Sequence, residues 1–279
     1  QKGLNLVLTD VQQEALDKVV AELTAAGAHV AALRGDVSRG EDIQALADLC
    51  LERFGVPHIV INNAGVAYGG LIWEAGPRDW EWVLGVNLWG VIHGVRVFTP
   101  LMLAEARKNP AYQGHIVNVA SMAGMLNSPN LGVYNVSKHA VVSLSETLYQ
   151  DLALVTDQVH ASVLCPYFVP TGIHQSHRNR PAELRTDAKP TASQLIGQAM
   201  SAKAVTSGKV TATDTAALVF NAIEANQFYV YTHPKAIGMV QVRMEDVMQA
   251  RNPTDPFAGK PEIGEQLKTA LRDALAKED

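Results

Sequence analysis

Short apolar runs alternate with longer amphipathic segments along most of the chain. The apolar runs lie at 4–9, 29–33, 58–61, 115–120, 160–165 and 228–231, and each has the length of a buried strand. Between them, apolar residues recur at helical spacing at 11–26, 39–54, 79–108, 134–155, 191–205 and 213–226, with an expected kink at Pro100. This order predicts an α/β fold whose doubly wound parallel sheet is covered by helices on both faces.

The chain continues beyond the last predicted strand. Residues 234–250 have a helical pattern, and a segment rich in proline and glycine follows. Leu267, Leu271 and Leu275 then form an apolar stripe at helical spacing, which predicts a final helix. The stripe can pack on the body of the protein or on another subunit, and a disordered tail is the alternative. We therefore divide the chain into an α/β domain at 1–233 and a helical extension at 234–279.

Composition excludes several classes of protein. The chain has 279 residues, of which 47% are apolar and 18% charged, with a net charge of −5. No run of lysine and arginine is present, which argues against a nucleic-acid partner. No apolar stretch reaches the ~18 residues that a spanning helix needs, so we expect no membrane. Cys50 and Cys165 do not make a disulfide framework, and we expect a cytoplasmic protein with reduced thiols.

Tyr134 and Lys138 form the most informative pair in the sequence. Four positions apart on a helix, they lie on one face. A neighbouring ammonium lowers the pKa of a phenol, so we expect Tyr134 to exchange a proton near neutral pH. Ser121 follows the strand at 115–120, and its hydroxyl is expected at the carboxyl edge of the sheet, where ligands bind in such folds. The alternative is a half-buried tyrosine beside a lysine that extends to solvent.

Other polar or small residues also follow predicted strands. Asn62, Asn63, Ala64 and Gly65 come after the strand at 58–61, whereas Pro166 and Thr171 come after the strand at 160–165. Asn87 lies within a predicted helix, where an isolated asparagine commonly bonds to its own helix backbone. Each feature is ordinary alone, but their order along the chain and the strand-end placement of all but Asn87 indicate one site.

In these motifs the chain resembles the short-chain dehydrogenases/reductases over residues 3–233. The resemblance implies a Rossmann-like fold and a catalytic tetrad of Asn87, Ser121, Tyr134 and Lys138. It assigns cofactor contacts, which are Asp10, Asp36, Val37, Asn63, Ala64, Gly65, Tyr134, Lys138, Pro166, Val169 and Thr171. Tyr167 stands where the family usually has glycine. The activity that the resemblance implies is hydride transfer between NAD(H) and an alcohol or ketone.

The resemblance also suggests a role for each member of the tetrad. Tyr134 is the acid in reduction and the base in oxidation, and Ser121 bonds the substrate oxygen. Lys138 holds the phenolate and reaches the nicotinamide ribose, while Asn87 binds a water that links Lys138 to solvent. Gly65 and Ala64 allow the backbone to approach the cofactor closely, and Thr171 bonds its carboxamide.

The start of the chain departs from the family pattern. The resemblance makes 4–9 the second strand of the fold, so the first strand and the glycine-rich turn after it are missing from this sequence. We expect the domain at 1–233 to be incomplete at its N-terminus, with about 35–40 residues before Gln1, the length of a strand, turn and helix.

Asp10, at the end of the first strand in this sequence, bears on the choice of cofactor. An acid there bonds the adenosine ribose and repels a 2′-phosphate, and Val11, Gln12 and Gln13 follow it without a basic residue. We therefore expect NAD rather than NADP. Asp10 could also cap the following helix, and the two roles are compatible.

Residues 172–190 are expected to form a loop over the substrate. His174 and His177 have no third ligand nearby in sequence, so we expect no metal. The basic side chains of this segment could meet an anionic substrate or face solvent; they are Arg178, Arg180, Arg185 and Lys189. A cluster of four tryptophans could form a substrate wall, a subunit interface or core; it comprises Trp73, Trp80, Trp82 and Trp89.

Two rival functions remain open at this level. A non-catalytic nucleotide-binding regulator could use the same fold, but it would not need an activated tyrosine. A non-redox epimerase or dehydratase usually has a larger C-terminal domain than 234–279. By analogy with the family, we expect a homodimer or homotetramer in which the helices at 79–108 and 134–155 pair across a two-fold axis.

Overall fold

The structure is a computed structural model that describes residues 2–186 and 188–276. Gln1, Asp187 of the expected loop and residues 277–279 of the expected extension lie outside this range. The strands are β1 (Leu6–Asp10), β2 (Val30–Arg34), β3 (Ile59–Asn62), β4 (Gly114–Val119), β5 (Val159–Cys165) and β6 (Tyr229–Tyr231). The α-helices are α1 (Gln13–Ala25), α2 (Gly40–Phe54), α3 (Pro77–Leu84), α4 (Gly90–Lys108), α5 (Gly132–Val155), α6 (Ala192–Thr206), α7 (Ala212–Glu224), α8 (Ile237–Met248) and α9 (Pro261–Leu275).

All described strand pairs are parallel, as the alternating pattern predicted. β3, β4, β5 and β6 form one sheet in that order, and β1 pairs with β2. Adjacent residues of β4 face opposite layers: Ile116 packs with Phe98 and Met102 of α4, whereas Val117 packs with Val219 of α7. The predicted α/β fold with helices on both faces of its sheet is therefore confirmed.

β1 and β3 are not hydrogen-bonded to each other. Their facing sides line a cleft of about 1820 Å³, whose walls include Leu6 and Leu8 of β1 and Ile59 and Ile61 of β3. The same cleft extends over the carboxyl ends of the strands to Tyr134. The expectation of a further strand before β1 stays a prediction.

The long helix predicted at 79–108 contains an irregular turn that the sequence did not indicate. Pro100 lies inside α4 without ending it, whereas a π-helical turn at Gly85–Trp89 separates α3 from α4. Such turns are frequently found at functional sites. The kink expected at Pro100 stays a prediction, and the irregularity that the structure shows in this helix is a π turn that contains Asn87.

The continuous helical stretch Pro77–Lys108 is long and apolar enough to cross a membrane by length and composition alone. The expectation that no segment would meet that test is therefore wrong. Val91, Phe98 and Met102 of this stretch are buried in the cores beside the sheet. Packing within the fold thus accounts for these three apolar residues.

The C-terminal elements pack on the rest of the chain. α9 contacts α6, and Leu267 of the predicted stripe is buried. Of the two arrangements left open for this helix, packing on the body is the one the structure shows. The division of the chain at residue 233 stays a prediction.

Candidate active site

Ser121, Tyr134 and Lys138 reach one cleft from two elements. Ser121 follows β4 and caps a short 3-10 helix at Met122–Gly124, where its Oγ accepts a bond from the Ala123 N–H at 3.1 Å. Tyr134 lies in the first turn of α5, and Lys138 lies one turn later on the same face. All three side chains line the cleft at the carboxyl end of the sheet, as the sequence predicted.

Gly124, which sequence reasoning missed, sets how closely the loop after β4 approaches α5. A Cβ at this position would lie 2.5 Å from the Lys138 carbonyl oxygen and 2.9 Å from its carbonyl carbon. Both atoms belong to the backbone, so they could move only if the helix moved. Glycine therefore allows the close packing that brings Ser121 and α5 to the same side of the cleft.

Tyr134 is more weakly acidic than expected. Burial raises the pKa of its phenol above the ordinary value, and the Ser121 hydroxyl opposes this only in part. The Lys138 Nζ lies 5.8 Å from the centroid of the tyrosine ring and donates instead to the Val119 carbonyl oxygen at 3.0 Å. The expected lowering of the phenol pKa is therefore wrong for this structure, because burial dominates.

The pKa of Lys138 shifts in the opposite direction to that of Tyr134. Its side chain is 2% exposed, and burial lowers the pKa of its ammonium to about 8, although the nearby Cys165 thiol acts in the other direction. The ammonium is thus close to losing its proton at slightly alkaline pH. Its bond to Val119, the last residue of β4, fixes the lysine beneath the tyrosine.

Asn87 anchors the site from the π turn. Its side chain is fully buried, and Oδ1 accepts from the Val66 N–H at 2.8 Å. Nδ2 donates to the Val66 carbonyl oxygen and to the Ser137 Oγ, each at 3.0 Å. Asn87 does not line the cleft. Its amide therefore bonds neither its own helix nor Lys138, and it fixes the loop after β3 to α5 instead.

Ser137 is a functional candidate that sequence reasoning missed. It is fully buried, accepts from Asn87, and donates to the Tyr134 carbonyl oxygen at 2.7 Å. It therefore joins the π turn to the backbone of the helical turn that carries the tyrosine. Its place next to Lys138 in sequence is the only local signal that could have drawn attention to it.

A second buried chain of side chains lies below the first. Asn62 donates to Asn118 at 2.8 Å, Asn118 donates to Ser145 at 3.0 Å, and Ser145 donates to the Val141 carbonyl oxygen at 2.7 Å. These bonds connect β3, β4 and α5. Of the asparagine pair that the sequence singled out, Asn62 is thus structural, whereas Asn63 is exposed in the cleft.

The residues assigned to cofactor binding share this cleft. Its lining includes every one of them: Asp10, Asp36, Val37, Asn63, Ala64, Gly65, Tyr134, Lys138, Pro166, Val169 and Thr171. Asp10 is the last residue of β1 and Asp36 follows β2, whereas Lys138 lies on α5. Gly65 lies between the side chains of Asn87 and Lys138, because a Cβ at this position would lie 3.5 Å from Asn87 Oδ1 and 3.5 Å from Lys138 Nζ.

The surroundings of Asp10 differ in part from the expectation. Its Oδ1 accepts from the Gln12 N–H at 2.8 Å, so it supports the turn before α1 without capping the helix. Arg34 pairs with Asp10 in the β1–β2 register, and its Nε donates to the Val11 carbonyl oxygen at 3.0 Å. No basic residue follows Asp10 directly in sequence, but Arg34 lies beside it on the neighbouring strand. The expectation that Asp10 has no basic neighbour is therefore wrong.

Tyr167 fits its position without strain. In the described residues, the non-glycine residues with positive φ are Asn130, Asn226 and Ala250, so Tyr167 does not need the freedom of glycine. Its N–H donates to the Thr232 hydroxyl at 3.0 Å. Thr171 follows and caps a 3-10 helix at Gly172–Asn179.

That 3-10 helix begins the expected loop over the substrate and bonds across the cleft. Ser176 Oγ accepts from the Ala67 N–H at 2.9 Å, on the loop after β3. Asn179 Oδ1 accepts from the Gln12 Nε2 at 2.5 Å, on the loop after β1. The segment thus contacts both sides of the cleft, and neither residue had a signal in the sequence.

Arg180 has neither of the two roles considered for the basic side chains, which were to meet an anionic substrate or to face solvent. Its Nη1 pairs with Asp79 Oδ1 at 2.6 Å, and these two side chains are only 13% and 10% exposed. Its guanidinium carbon lies 5.2 Å from the centroid of the Trp82 ring. Asp79 also accepts from the Gly76 N–H at the start of α3. Arg180 therefore fixes the loop to α3.

The tryptophans separate into different environments. Trp82 is buried and Trp89 is 51% exposed, and both line the cleft. Trp73, which is 73% exposed, and Trp80 do not line it, so Trp82 and Trp89 are the members of the cluster that can form a wall of this cleft. Among the described residues, no group of three or more metal-ligating side chains is found.

The donor and acceptor groups fit a nicotinamide dinucleotide at its two ends. The Asp10 carboxylate suits the adenosine ribose hydroxyls, and Lys138 and Thr171 suit the nicotinamide ribose and carboxamide. The exposed Asn63 and Ala64 border the path between them. Residues 2–186 and 188–276 contain no glycine-rich phosphate turn between a strand and a helix.

Comparison with known proteins gives consistent matches. A family model described as short chain dehydrogenase matches residues 1–182. The chain is 53% identical to a short chain dehydrogenase/reductase from Burkholderia phymatum solved in complex with NAD, with a TM-score of 0.88 over 90% of this chain and 88% of that one. It is 31% identical to a CLA biosynthesis dehydrogenase/reductase of Lactiplantibacillus plantarum, over 88% of this chain and 85% of the relative. It is 29% identical to a C alpha-dehydrogenase of a Sphingobium species, over 97% and 85%.

Proposed function

This chain belongs to the short-chain dehydrogenase family, and from that premise we propose that it transfers a hydride between NAD(H) and an alcohol or ketone. One observation carries the proposal. Ser121, Tyr134 and Lys138 line the same cleft as the strand-end residues that suit a dinucleotide. Family membership makes the chain an oxidoreductase, and the substrate class and the role of each side chain are what we propose.

Tyr134 exchanges the proton that the reaction requires. In reduction, a hydride is added to the carbonyl carbon and the Tyr134 hydroxyl gives its proton to the carbonyl oxygen, which yields the alcohol; oxidation is the reverse. A raised phenol pKa keeps Tyr134 protonated at neutral pH, which is the form that donates. When bound, NAD would supply the hydride acceptor or donor and, in its oxidised form, a positive charge.

Ser121 and Lys138 orient and stabilise the reacting groups. The Ser121 hydroxyl donates to the substrate oxygen and fixes its angle to Tyr134, and such a donor at developing charge is worth ~3 kcal/mol. Lys138 places an ammonium beneath the tyrosine ring, where it stabilises negative charge on the phenol. Asn87 acts through position, because its amide holds the loop after β3 against α5.

We propose NAD as the preferred cofactor on the basis of Asp10. Its carboxylate would accept from ribose hydroxyls and repel a 2′-phosphate. Arg34 opposes this preference, because its guanidinium lies beside the Val11 carbonyl at the same end of the cleft. Calorimetric titration with NADH and NADPH compares the two directly. Tighter binding of NADPH would contradict the preference.

We also propose a cytoplasmic homodimer or homotetramer. Cys50 and Cys165 are free, buried thiols, which suits a reducing compartment. Exposed apolar side chains lie on α5 and on the π turn before α4, among them Val136 and Trp89. These are the helices expected to pair across a two-fold axis. Light scattering measures the mass in solution, and a monomer at micromolar concentration would contradict the assembly.

The reaction is tested by mixing the protein with NADH and a panel of aldehydes and ketones. We expect loss of NADH absorbance with some members, and formation of the corresponding alcohol by mass spectrometry. Tight NADH binding without turnover across a broad panel would contradict the proposal. That outcome would favour the nucleotide-binding regulator or the non-redox enzyme considered from sequence.

A further inference from the structure

The segment between α8 and α9 places one aromatic side chain in the cleft. In residues 251–260 every side chain is exposed except Phe257, which is partly buried. Phe257 lines the cleft together with Met200 and Ala204 of α6. The C-terminal part of the chain thus contributes to the wall of a site whose catalytic residues come from β4 and α5.

Local contacts fix the position of Phe257. Its N–H donates to Asp255 Oδ1 at 2.9 Å, and its carbonyl oxygen accepts from the Lys260 N–H at 2.7 Å. A Cβ on Gly264 of α9 would lie 3.0 Å from the Phe257 Cβ, so that helix packs directly behind the ring.

Asp246 of α8 holds the start of the same segment. Its side chain is 7% exposed, accepts from the Thr254 N–H at 2.9 Å, and pairs with Arg251 at 3.0 Å. These contacts hold the pKa of the Asp246 carboxyl below its ordinary value. The segment is therefore a built structure that presents Phe257, and not a loose connection.

The residues of α6 that line the cleft carry no charge. Leu126, Phe168 and Met200 are other large apolar residues of the same cleft. The charged side chains that line the cleft lie on other elements, and they are Asp10, Asp36, Glu81, Lys138 and Arg178. The Arg178 Nη1 donates to two carbonyl oxygens of its own 3-10 helix, those of Gly172 and Gln175. A charged substrate group would have no partner on the wall formed by α6 and Phe257.

We propose that Phe257 determines substrate specificity and that the substrates are neutral alcohols or ketones with an apolar chain or ring beyond the reacting carbon. The inference rests on the proposed hydride transfer, and it adds the chemical class of the substrate. An apolar group gains affinity here because its surface leaves water against Phe257 and Met200.

The test measures binding of a series of 2-ketones, from 2-pentanone to 2-undecanone, to the protein with oxidised NAD present, which cannot reduce them. By isothermal titration calorimetry, we expect affinity to rise about fourfold for each methylene that becomes buried. Phe257→Ala should weaken binding of the longest ketone about tenfold and leave 2-pentanone unchanged. Phe257→Leu, which keeps an apolar side chain, should retain most of the affinity and guards against a variant that fails to fold.

Met248→Ala is the matched control, because Met248 is an apolar residue of α8 that is 76% exposed and does not line the cleft. It should bind the whole series as the wild type does. Equal wild-type affinity across the series, or long ketones bound equally well by Phe257→Ala, would overturn the inference.

The two proposals fail in different ways. Ketone binding that depends on chain length and on Phe257, without oxidation of NADH, would support the role of Phe257 in specificity and contradict the proposed hydride transfer. Oxidation of NADH that is equally fast with short and long ketones, and in wild type and Phe257→Ala, would support the proposed hydride transfer and contradict the role of Phe257 in specificity.

Discussion

Polar side chains lie at both ends of β4, but in opposite surroundings. At the amino end, His115 Nε2 bonds to Ser162 Oγ at 2.7 Å, and Ser162 donates to the Gln227 carbonyl oxygen at 2.7 Å. At the carboxyl end, Ser121 and its neighbours Tyr134 and Lys138 line an open cleft. The groups at the first end bond to one another, whereas those at the second line the cleft in which we propose that the cofactor binds.

This contrast indicates how one strand serves two purposes. Buried polar groups that are fully paired stabilise a unique arrangement, and pairing leaves them no capacity for a ligand. Lys138 at the other end is buried with its pKa lowered to about 8, which means that burial disfavours its charge. Changes at the amino end should therefore affect stability, and changes at the carboxyl end should affect turnover.

Tyr134→Phe should produce the largest effect. Removing the hydroxyl abolishes the proposed proton donor, and general acid–base groups contribute ~10²–10⁴-fold to rates. The phenylalanine ring fills the same volume, so the unfolding free energy should change little. Steady-state rates with NADH and an accepted ketone, beside urea unfolding, measure both quantities. Undiminished turnover would show that the carboxyl end does not act as proposed.

The sequence predicted the carboxyl end better than the amino end, for a physical reason. Ser121 follows a strand, and Tyr134 and Lys138 follow helical spacing, so local rules bring them to one edge. The His115–Ser162 contact joins positions 47 residues apart and depends on the β4–β5 register. No local pattern specifies that register to the level of one side-chain pair.

Backbone details also lay beyond local rules. The π turn around Asn87 had no signal, whereas Pro100, which did, leaves its helix unbroken. Gly69 and Gly197 come from distant segments, and a Cβ on Gly69 would lie 2.9 Å from the Gly197 Cα. Glycine permits that approach of α6 to the loop after β3, but only the folded structure shows which glycines meet. The predicted direction of the Tyr134 pKa shift is wrong because the spacing of Tyr134 and Lys138 shows that they are neighbours but does not show how deeply the phenol is buried.

The next largest effect should come from replacing His115, and we expect it to change stability but not turnover. Burial lowers the pKa of its imidazole to about 4, from an ordinary 6.5, so the unfolded chain binds more protons between those values. His115 thus contributes stability that is present above pH 6.5 and lost as the pH falls through about 4. Its full loss amounts to about 3 kcal/mol.

His115→Gln tests this, because its amide can still donate to Ser162 and does not titrate between pH 4 and 7. Urea unfolding across that range should show a weaker pH dependence for the variant than for the wild type, while turnover at neutral pH is unchanged. His29→Gln, at an exposed position, serves as the control. Parallel curves for wild type and His115→Gln would contradict the assignment.

The smallest effect should come from a matched pair of serines on α5. Ser137 and Ser145 are both fully buried, and each donates to a carbonyl oxygen of its own helix at 2.7 Å. Each also accepts from an asparagine amide at 3.0 Å, Ser137 from Asn87 and Ser145 from Asn118. Either serine-to-alanine change should therefore reduce the unfolding free energy by a similar amount, about 1–3 kcal/mol.

Turnover should separate the two variants. Ser137→Ala loosens the bond between the π turn and the backbone of Tyr134, so we expect about a tenfold lower kcat, since small displacements of a catalytic group are costly. Ser145→Ala should keep wild-type kcat, because its partner Asn118 lies below the site. Ser137→Thr keeps the hydroxyl and should restore part of the loss. Equal reductions of kcat in both alanine variants would show that packing of α5 as a whole, and not the bond from Asn87 to Ser137, positions the tyrosine.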